Sequence, residues 1–543
     1  MANQLQLGVV TDGAFNQGLV VRLDADTSTE GLRIGSFVVI EGERHRFFGL
    51  IADISLKSAD PRVAADPPRD ASGFIRRVLA GTTTYATVEV KPQLMLDLSK
   101  GDEERMMEPV RTIPMHFAVL RDATQMDFHT VFGEPDATHF EMGSPLTMDI
   151  PICLNLERWT QRSNGIFGQS GTGKSFLARL ILCGVIKSQV AVNLIFDMHD
   201  EYAFGKESED HVFVKGLRDL FGPQVVVYSL DAAGARRAGR SVDVVLQIGL
   251  NQIEPADVLL LAEELDLTST AAASIGLLED HFRQDWLVRL LAMSPDEVSE
   301  FCAKSGANEA SVGALQRKLK LVARRGYITP EAEYSPIDDM VANFAAGRHV
   351  VLQFGQYTDI LDYMLVANII TRRIHKDYVE QMAKFEQTHD PAQRPRQLMI
   401  TIEEAHKFLN PAVARQTIFG TIARELRKYS VTLMVVDQRP SGIDAEIMSQ
   451  LGTRVTGRLT EERDIESALT GVGGRHYLRS ALESLDTRQQ VLLIGHAVPM
   501  PIVIRTRPYD EAFYQAVGYK TGAQRKAQLT QDVVDLWGGP RKQ

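Results

Sequence analysis

The octapeptide Gly168-Gln169-Ser170-Gly171-Thr172-Gly173-Lys174-Ser175 constrains this chain more than any other feature. It satisfies G-x-x-x-x-G-K-[ST] at every specified position. An apolar run ending in Ile166-Phe167 leads into it, and the helix-forming run Phe176–Leu182 leaves it. A glycine-rich turn between strand and helix lets consecutive amides curl around phosphate oxygens, aided by the positive end of the helix. Lys174 is then expected to reach the β- and γ-phosphates, and the Ser175 hydroxyl to ligate Mg²⁺. The expected nucleotide-contacting set is Gly168, Gln169, Ser170, Gly171, Thr172, Gly173, Lys174, Ser175 and Phe176, with ATP and Mg²⁺ as the ligands.

Such a loop needs a parallel α/β sheet, and the pattern from Asn164 onward supplies one. Strands are expected at Asn164–Phe167, Ala191–Phe196, Val225–Ser229, His349–Phe354, Leu398–Ile402, Val431–Val436, Arg454–Arg458 and Val491–Ile494, with helices between them. Between Glu254 and Ala346 helices take over. Ser294-Pro295-Asp296-Glu297 reads as an N-cap with a proline and a capping-box acid; Ser335-Pro336 repeats that start, and Gly347 closes its helix. Before residue 120, short alternating runs (Leu5–Val10, Leu19–Leu23, Phe37–Ile40, Arg46–Ile51, Tyr85–Val90, Arg111–Val119) suggest a small barrel or sandwich, interrupted by a proline-containing loop at Asp60–Gly73. The expected fold class is α/β: a RecA-like P-loop ATPase core with an N-terminal small β-barrel and an inserted helical bundle. The expected division is a barrel for assembly or partner contact at 1–145, a core at 146–255 and 347–510, the bundle at 256–346, and a tail at 511–543.

A second half of the site lies far downstream. The buried run Leu398–Ile402 is followed by Glu403-Glu404-Ala405-His406, and strands of such sheets present their carboxyl ends to the ligand crevice. Glu403 is the metal-side carboxylate and Glu404 the base that polarises the attacking water. The long gap from Lys174, together with the extra domains, disfavours a small-molecule kinase. Gln438, after the run Val431–Val436, would sense the γ-phosphate or orient water. Arg424 and Arg427, three apart on a helix end, would serve as arginine fingers toward a neighbour's nucleotide; a basic helix end complementing the macrodipole is the plainer alternative. Arg162, just before the first strand, is a third candidate. Asp197-Met198-His199-Asp200-Glu201-Tyr202 borders the crevice, and its single-loop origin argues against a metal site.

The formal charge of −11 over 543 residues argues against a protein that coats nucleic acid through bulk positive charge. With 44% hydrophobic and 24% charged residues the chain is an ordinary globular one, not a disordered one. Cys153, Cys183 and Cys302 are far apart, so buried thiols in a reducing cytoplasm are expected rather than a disulfide framework or zinc site. Met1–Val10 lacks a secretory pattern, and no apolar run reaches the length of a membrane span. If DNA is bound, local basic surfaces must do it. The candidates are Arg317, Lys318, Lys320, Arg324 and Arg325 opposite an apolar stripe of Leu315, Leu319 and Val322; the glycine-flanked Arg236, Arg237 and Arg240, read as a flexible loop; and the basic tail from Lys520.

Taken together, these motifs resemble the HerA branch of the HerA/FtsK family of hexameric DNA-translocating ATPases. The resemblance rests on Gly168–Ser175, on Asp197-x-His199-x-Glu201-Tyr202, on Glu403-Glu404-Ala405-His406, and on Arg424-Glu-x-Arg427-Lys428-Tyr429 followed by Gln438-Arg439-Pro440-Ser441 and Ser449-Gln450. It extends over most of residues 150–510, and the amino-terminal strands look like the family's small barrel. Glu403 departs from the aspartate of many members. The resemblance implies a homo-oligomeric ring, a hexamer, with ATP between subunits and double-stranded DNA in the central channel. It also implies a NurA-like nuclease partner in DNA end processing, or else a nuclease or NAD-hydrolysing effector in anti-phage defence, for which the ring would be a nucleotide-switched scaffold.

Overall fold

The computed structural model describes residues 6–65, 78–79, 83–101, 106–207, 213–331, 336–415, 417–425, 428–486 and 489–520. The amino-terminal strands Gln6–Ala14, Gly18–Leu23, Phe37–Glu41, His45–Ser58, Thr84–Asp97 and Val119–Asp122 close into a six-stranded barrel, because Gly18–Leu23 pairs with both Gln6–Ala14 and Thr84–Asp97. Alternate residues fill its interior: Leu7, Val21, Val38, Ile40, Val88, Val90 and Leu120 form one buried cluster. Register shifts at Phe48/Gly49 and Ile51/Asp53 bend the two longest strands around the closure.

Two expectations change here. Arg111–Val119 is not a strand; the pairing segment is Val119–Asp122, and Ile113, Met115 and Phe117 are exposed. Their alternation has no face to bury, so periodicity without a partner misleads. The loop placed at Asp60–Gly73 opens with a short helix, Pro61–Ala65; its remainder from residue 66 lies outside the described residues.

The core is one twelve-stranded sheet. In spatial order it runs Val244–Val245, Val225–Ser229, His349–Gln353, Val192–Asp197, Leu398–Glu403, Val431–Asp437, Asn164–Phe167, Thr453–Thr456, Gln490–Gly495, Ile502–Thr506, His139–Pro145 and Ile152–Asn155. The first eight are parallel and the last four antiparallel. Both faces are covered, which is why the parallel strands read as unbroken apolar runs; every residue of Val431–Asp437 is buried. The helix Lys174–Ser188 covers one face, and the long helix Ile360–Thr388 with the inserted helices covers the other. The barrel's pairing ends at Asp122, not at residue 145: His139–Pro145 joins the core sheet through Ile502–Thr506.

The insertion holds the helices Pro255–Leu260, Ser269–Phe282, Trp286–Ala292, Pro295–Ser305 and Glu309–Ala323. Ser294 caps as its sequence suggests: its hydroxyl accepts from Glu297 N at 3.3 Å, and its own N–H donates to Glu297 Oε2 at 2.7 Å. Ser335 lies outside the described residues, and its helix is described from Pro336 to Ala345. Buried Asp257 ties the insertion to the long helix, accepting from Arg372 Nη2 and Asn368 Nδ2, each at 2.7 Å.

Candidate active site

The glycine loop is shaped by close approach. A Cβ on Gly168 would sit 2.5 Å from Thr172 Oγ1, which itself donates to the Gln169 carbonyl at 2.7 Å. Gly173, at φ 82°, caps the helix that begins with Lys174, a backbone conformation that side chains other than glycine's rarely adopt. Lys174 Nζ folds back to donate to the Gln169 carbonyl at 3.0 Å. Burial lowers the Lys174 pKa, and the nearby carboxylates of Glu404, Asp437, Glu403 and Glu201 oppose that shift.

Three neighbouring strands each end on an acid: Val192–Asp197, Leu398–Glu403 and Val431–Asp437. Asp437 is in register with Phe167, the residue that enters the glycine loop, and Glu403 is in register with Val436. The three acids do different work. Asp197 is fully buried and accepts from the N–H groups of Glu201, Tyr202 and Ala203 at 2.6, 3.0 and 3.2 Å, so it shapes the loop that follows; burial pushes its pKa up to about 6. Glu403 is 7% exposed, and its Oε1 accepts from the Tyr202 hydroxyl at 2.8 Å. Tyr363 brackets the same backbone, accepting from Glu403 N at 3.0 Å and donating to its carbonyl at 3.2 Å. Burial pushes the Glu403 pKa up to about 8, and its Oε2 is buried with no partner among the described residues. Asp437 accepts from His406 N at 2.7 Å, His406 Nδ1 at 2.9 Å and Arg439 N at 2.7 Å.

Glu404 begins the turn after its strand at φ 48°, a left-handed conformation that costs a non-glycine residue about 1–2 kcal/mol. That turn swings its carboxylate away from the buried position of Glu403. Its Oε1 accepts from Gln438 Nε2 at 3.2 Å, and its Oε2 lies 3.7 Å from His406 Nδ1. The Asp437 hydrogen bond raises the His406 pKa, placing a cation-forming ring beside Glu404.

Of the predicted site residues, the structure thus brings together the glycine loop, Lys174, Glu403, Glu404 and Gln438. Ser175 is hydrogen-bonded to Glu201; although burial works against it, that bond and Lys206 hold the Glu201 carboxyl below its usual range. Arg424 lies in the last turn of the helix Ile418–Glu425 and donates to the Ala414 carbonyl at 3.2 Å. Arg427 lies outside the described residues. Arg162 stands at the amino end of the Asn164–Phe167 strand, the opposite end from the glycine loop.

Among the described residues no group of three histidine, cysteine or acidic side chains forms a protein-only metal cage. The donors that fit a cation arriving with a nucleotide are the Ser175 hydroxyl and the free Oε2 of Glu403, with Glu201 alongside.

Comparison with known proteins follows the same outline. The family profile "Helicase HerA, central domain" matches residues 140–374, and the "HAS barrel domain" profile matches residues 7–97. The chain is built as a P-loop ATPase with a HerA-like central segment and a HAS-like barrel. Among its relatives, the DNA double-strand break repair helicase HerA of Sulfurisphaera tokodaii is 23% identical over 514 residues, 93% of each chain. The probable DNA double-strand break repair helicase HerA of Methanocaldococcus jannaschii is 22% identical over 477 residues, 82% of this chain and 90% of that one. The solved structure of VirB4 of Thermoanaerobacter pseudethanolicus overlaps 70% of this chain and 100% of its own at 16% identity and a TM-score of 0.44.

In this P-loop ATPase the groups that support the acids are not legible in the sequence. Tyr202 and Tyr363, which hold Glu403, come from positions 201 and 40 residues away in sequence. Asp437 directly follows the apolar run Val431–Val436, but its grip on His406 depends on strand order. The far wall of the site was also missed: a cavity of about 650 Å³ runs from Ser170–Leu177 to Thr506–Asp510, a segment with no motif of its own.

The basic candidates are partly neutralised. Lys318 pairs with Asp266 at 3.4 Å, and Arg325 with Asp359 at 3.0 Å and Asp362 at 3.2 Å. Leu315, Leu319 and Val322 are buried as their spacing suggests. Arg236 and Arg237 lie in the helix Ala232–Arg237 rather than in a flexible loop, because Asp231 caps it, and Arg240 pairs with Asp200 at 2.7 Å. The tail beyond Lys520 lies outside the described residues. No described helix is long and apolar enough to cross a membrane.

Proposed function

We propose that this chain is an ATP-driven DNA translocase or helicase subunit that works as a homo-oligomeric ring on double-stranded DNA, with a nuclease partner in DNA end processing. One observation carries the reading. Behind a barrel of the HAS type, a glycine loop and two successive acids, Glu403 and Glu404, meet at the carboxyl ends of two parallel strands that flank Val431–Asp437, with Gln438 bonded to the second acid.

In this reading Lys174 and the loop amides hold the phosphates, and Gln438 and His406 orient Glu404 to take a proton from the attacking water. Ser175 and Glu403 hold Mg²⁺, which supplies charge neutralisation on the phosphates. Arg424, Arg427 and Arg162 are the arginines for action between subunits. DNA contacts fall to local cations, because the chain as a whole is acidic.

The test is the ATPase rate with and without double-stranded DNA, with the mass of the assembly measured in the same sample. Stimulation by DNA in a ring-sized assembly is expected. A rate indifferent to DNA, but raised by an effector nuclease or NAD-hydrolysing partner, would replace translocation with a nucleotide-switched scaffold.

A further inference from the structure

The cavity beyond the glycine loop contains one group that the phosphate chemistry does not use. Arg179 lies four residues after Ser175 and therefore on the same helix face, where long side chains lean back toward the amino end. It is 3% exposed, lines the cavity, and its Nε has no hydrogen-bond partner among the described residues. Its guanidinium carbon lies 5.2 Å from the centre of the Phe176 ring and 5.9 Å from that of Tyr509. Those two rings meet edge to face at 6.2 Å. Tyr509 is fixed from behind, its hydroxyl donating to the Lys215 carbonyl at 3.2 Å, whereas Phe176 is 40% exposed.

A buried guanidinium with an unpartnered Nε, set against two aromatic rings, suits a flat π-system better than a second phosphate. Its charge is delocalised and it stacks readily, whereas an anion there would have to shed its water against Phe176, Leu180 and Val491. The direction fits as well: with the phosphates at Lys174, the rest of a nucleotide extends along the cavity toward Pro508 and Tyr509. We propose that Arg179 and Phe176, backed by Tyr509, form the nucleobase platform of this site, so that the segment after the last core strand takes part in nucleotide recognition. The proposal rests on the reading that the site takes ATP.

The experiment compares binding of MgATP and of magnesium tripolyphosphate, which lacks ribose and base, to full-length wild type, Arg179→Lys and Phe176→Ala, together with the KM and kcat of each. Both variants are expected to bind ATP about tenfold more weakly, within the range of base stacking, and tripolyphosphate within about twofold of wild type. KM rises while kcat holds. The exposed Phe176 keeps the test alive if the buried Arg179 variant fails to fold. Tripolyphosphate affinity falling in parallel with ATP affinity would make Arg179 a phosphate ligand and overturn the platform, as would unchanged ATP affinity in both variants. Wild type that binds neither ligand would overturn the ATP reading itself, and the platform with it, whereas Lys174→Ala losing both ligands leaves that reading standing.

Discussion

Replacing Tyr202 with Phe removes one oxygen from a fully buried side chain and deprives Glu403 of the only side-chain hydrogen bond its carboxyl accepts among the described residues. The ring stays, so the packing loss is small, and the penalty comes from the orphaned carboxyl. Burial sets the Glu403 pKa at about 8, and the Tyr202 hydrogen bond holds it down against that burial. Without the hydroxyl the pKa rises further. At about pH 6 the carboxyl is protonated in both proteins, and the loss is that of a neutral hydrogen bond, about 1 kcal/mol. At about pH 9 the wild-type carboxylate is charged, and the loss approaches that of a charge-assisted bond, about 2–3 kcal/mol.

The sign follows from linkage. The folded variant holds its proton to higher pH than the folded wild type, while the unfolded chains titrate alike, so its stability falls faster as pH rises through about 8. Urea unfolding of the ATPase core in both proteins at the two pH values measures the difference directly. A penalty that is the same at both pH values, or below about 0.3 kcal/mol at both, would refute the claim that this phenol supports a buried carboxylate.

Other substitutions probe the chemistry. Lys174→Ala is expected to abolish nucleotide binding, read by fluorescence titration, because its ammonium is the cation seen against the glycine loop, donating to the Gln169 carbonyl. Glu404→Gln should retain ATP while turnover falls by about 10²–10⁴-fold in a steady-state ATPase assay, the usual worth of a positioned base; unchanged turnover would remove Glu404 from that role. Glu403→Gln should gain stability relative to wild type as pH rises from about 6 to about 9, because the wild-type carboxyl must ionise in a buried site; equal thermal midpoints across that range would contradict it. Arg424→Ala should lose turnover yet bind nucleotide, with activity recovered on mixing with Glu404→Gln subunits. Turnover at the wild-type rate would reduce Arg424 to its hydrogen bond with the Ala414 carbonyl.

Sequence alone was enough where the controlling physics is local. The glycine loop needs glycines at fixed offsets and a helix start after them, and both are contiguous in the chain. The parallel strands carry uninterrupted apolar runs because they are covered on both faces. Eight expected strands all appear, three of them reaching one residue further at the carboxyl end to include the acids Asp197, Glu403 and Asp437. That last residue matters: acids lying just past the expected runs are strand ends, and their place in the ladder fixes where their carboxylates stand.

Tertiary structure decided which of those acids does what. Glu403 and Glu404 are adjacent and chemically identical, yet one is held inward by Tyr202 and Tyr363 while the other turns outward at positive φ toward Gln438 and His406. No local rule distinguishes them, because the phenols, the amide and the imidazole arrive through sheet order. The same holds for the strand His139–Pro145 and for the cavity wall at Thr506–Asp510, both set by antiparallel additions at the sheet's far side. Periodicity encodes which face of a segment is buried, whereas the partner it is buried against is a property of the whole chain. For this protein the phosphate grip was therefore legible in eight residues, while the environment of its carboxylates and of the cavity beyond them existed only once the sheet had assembled.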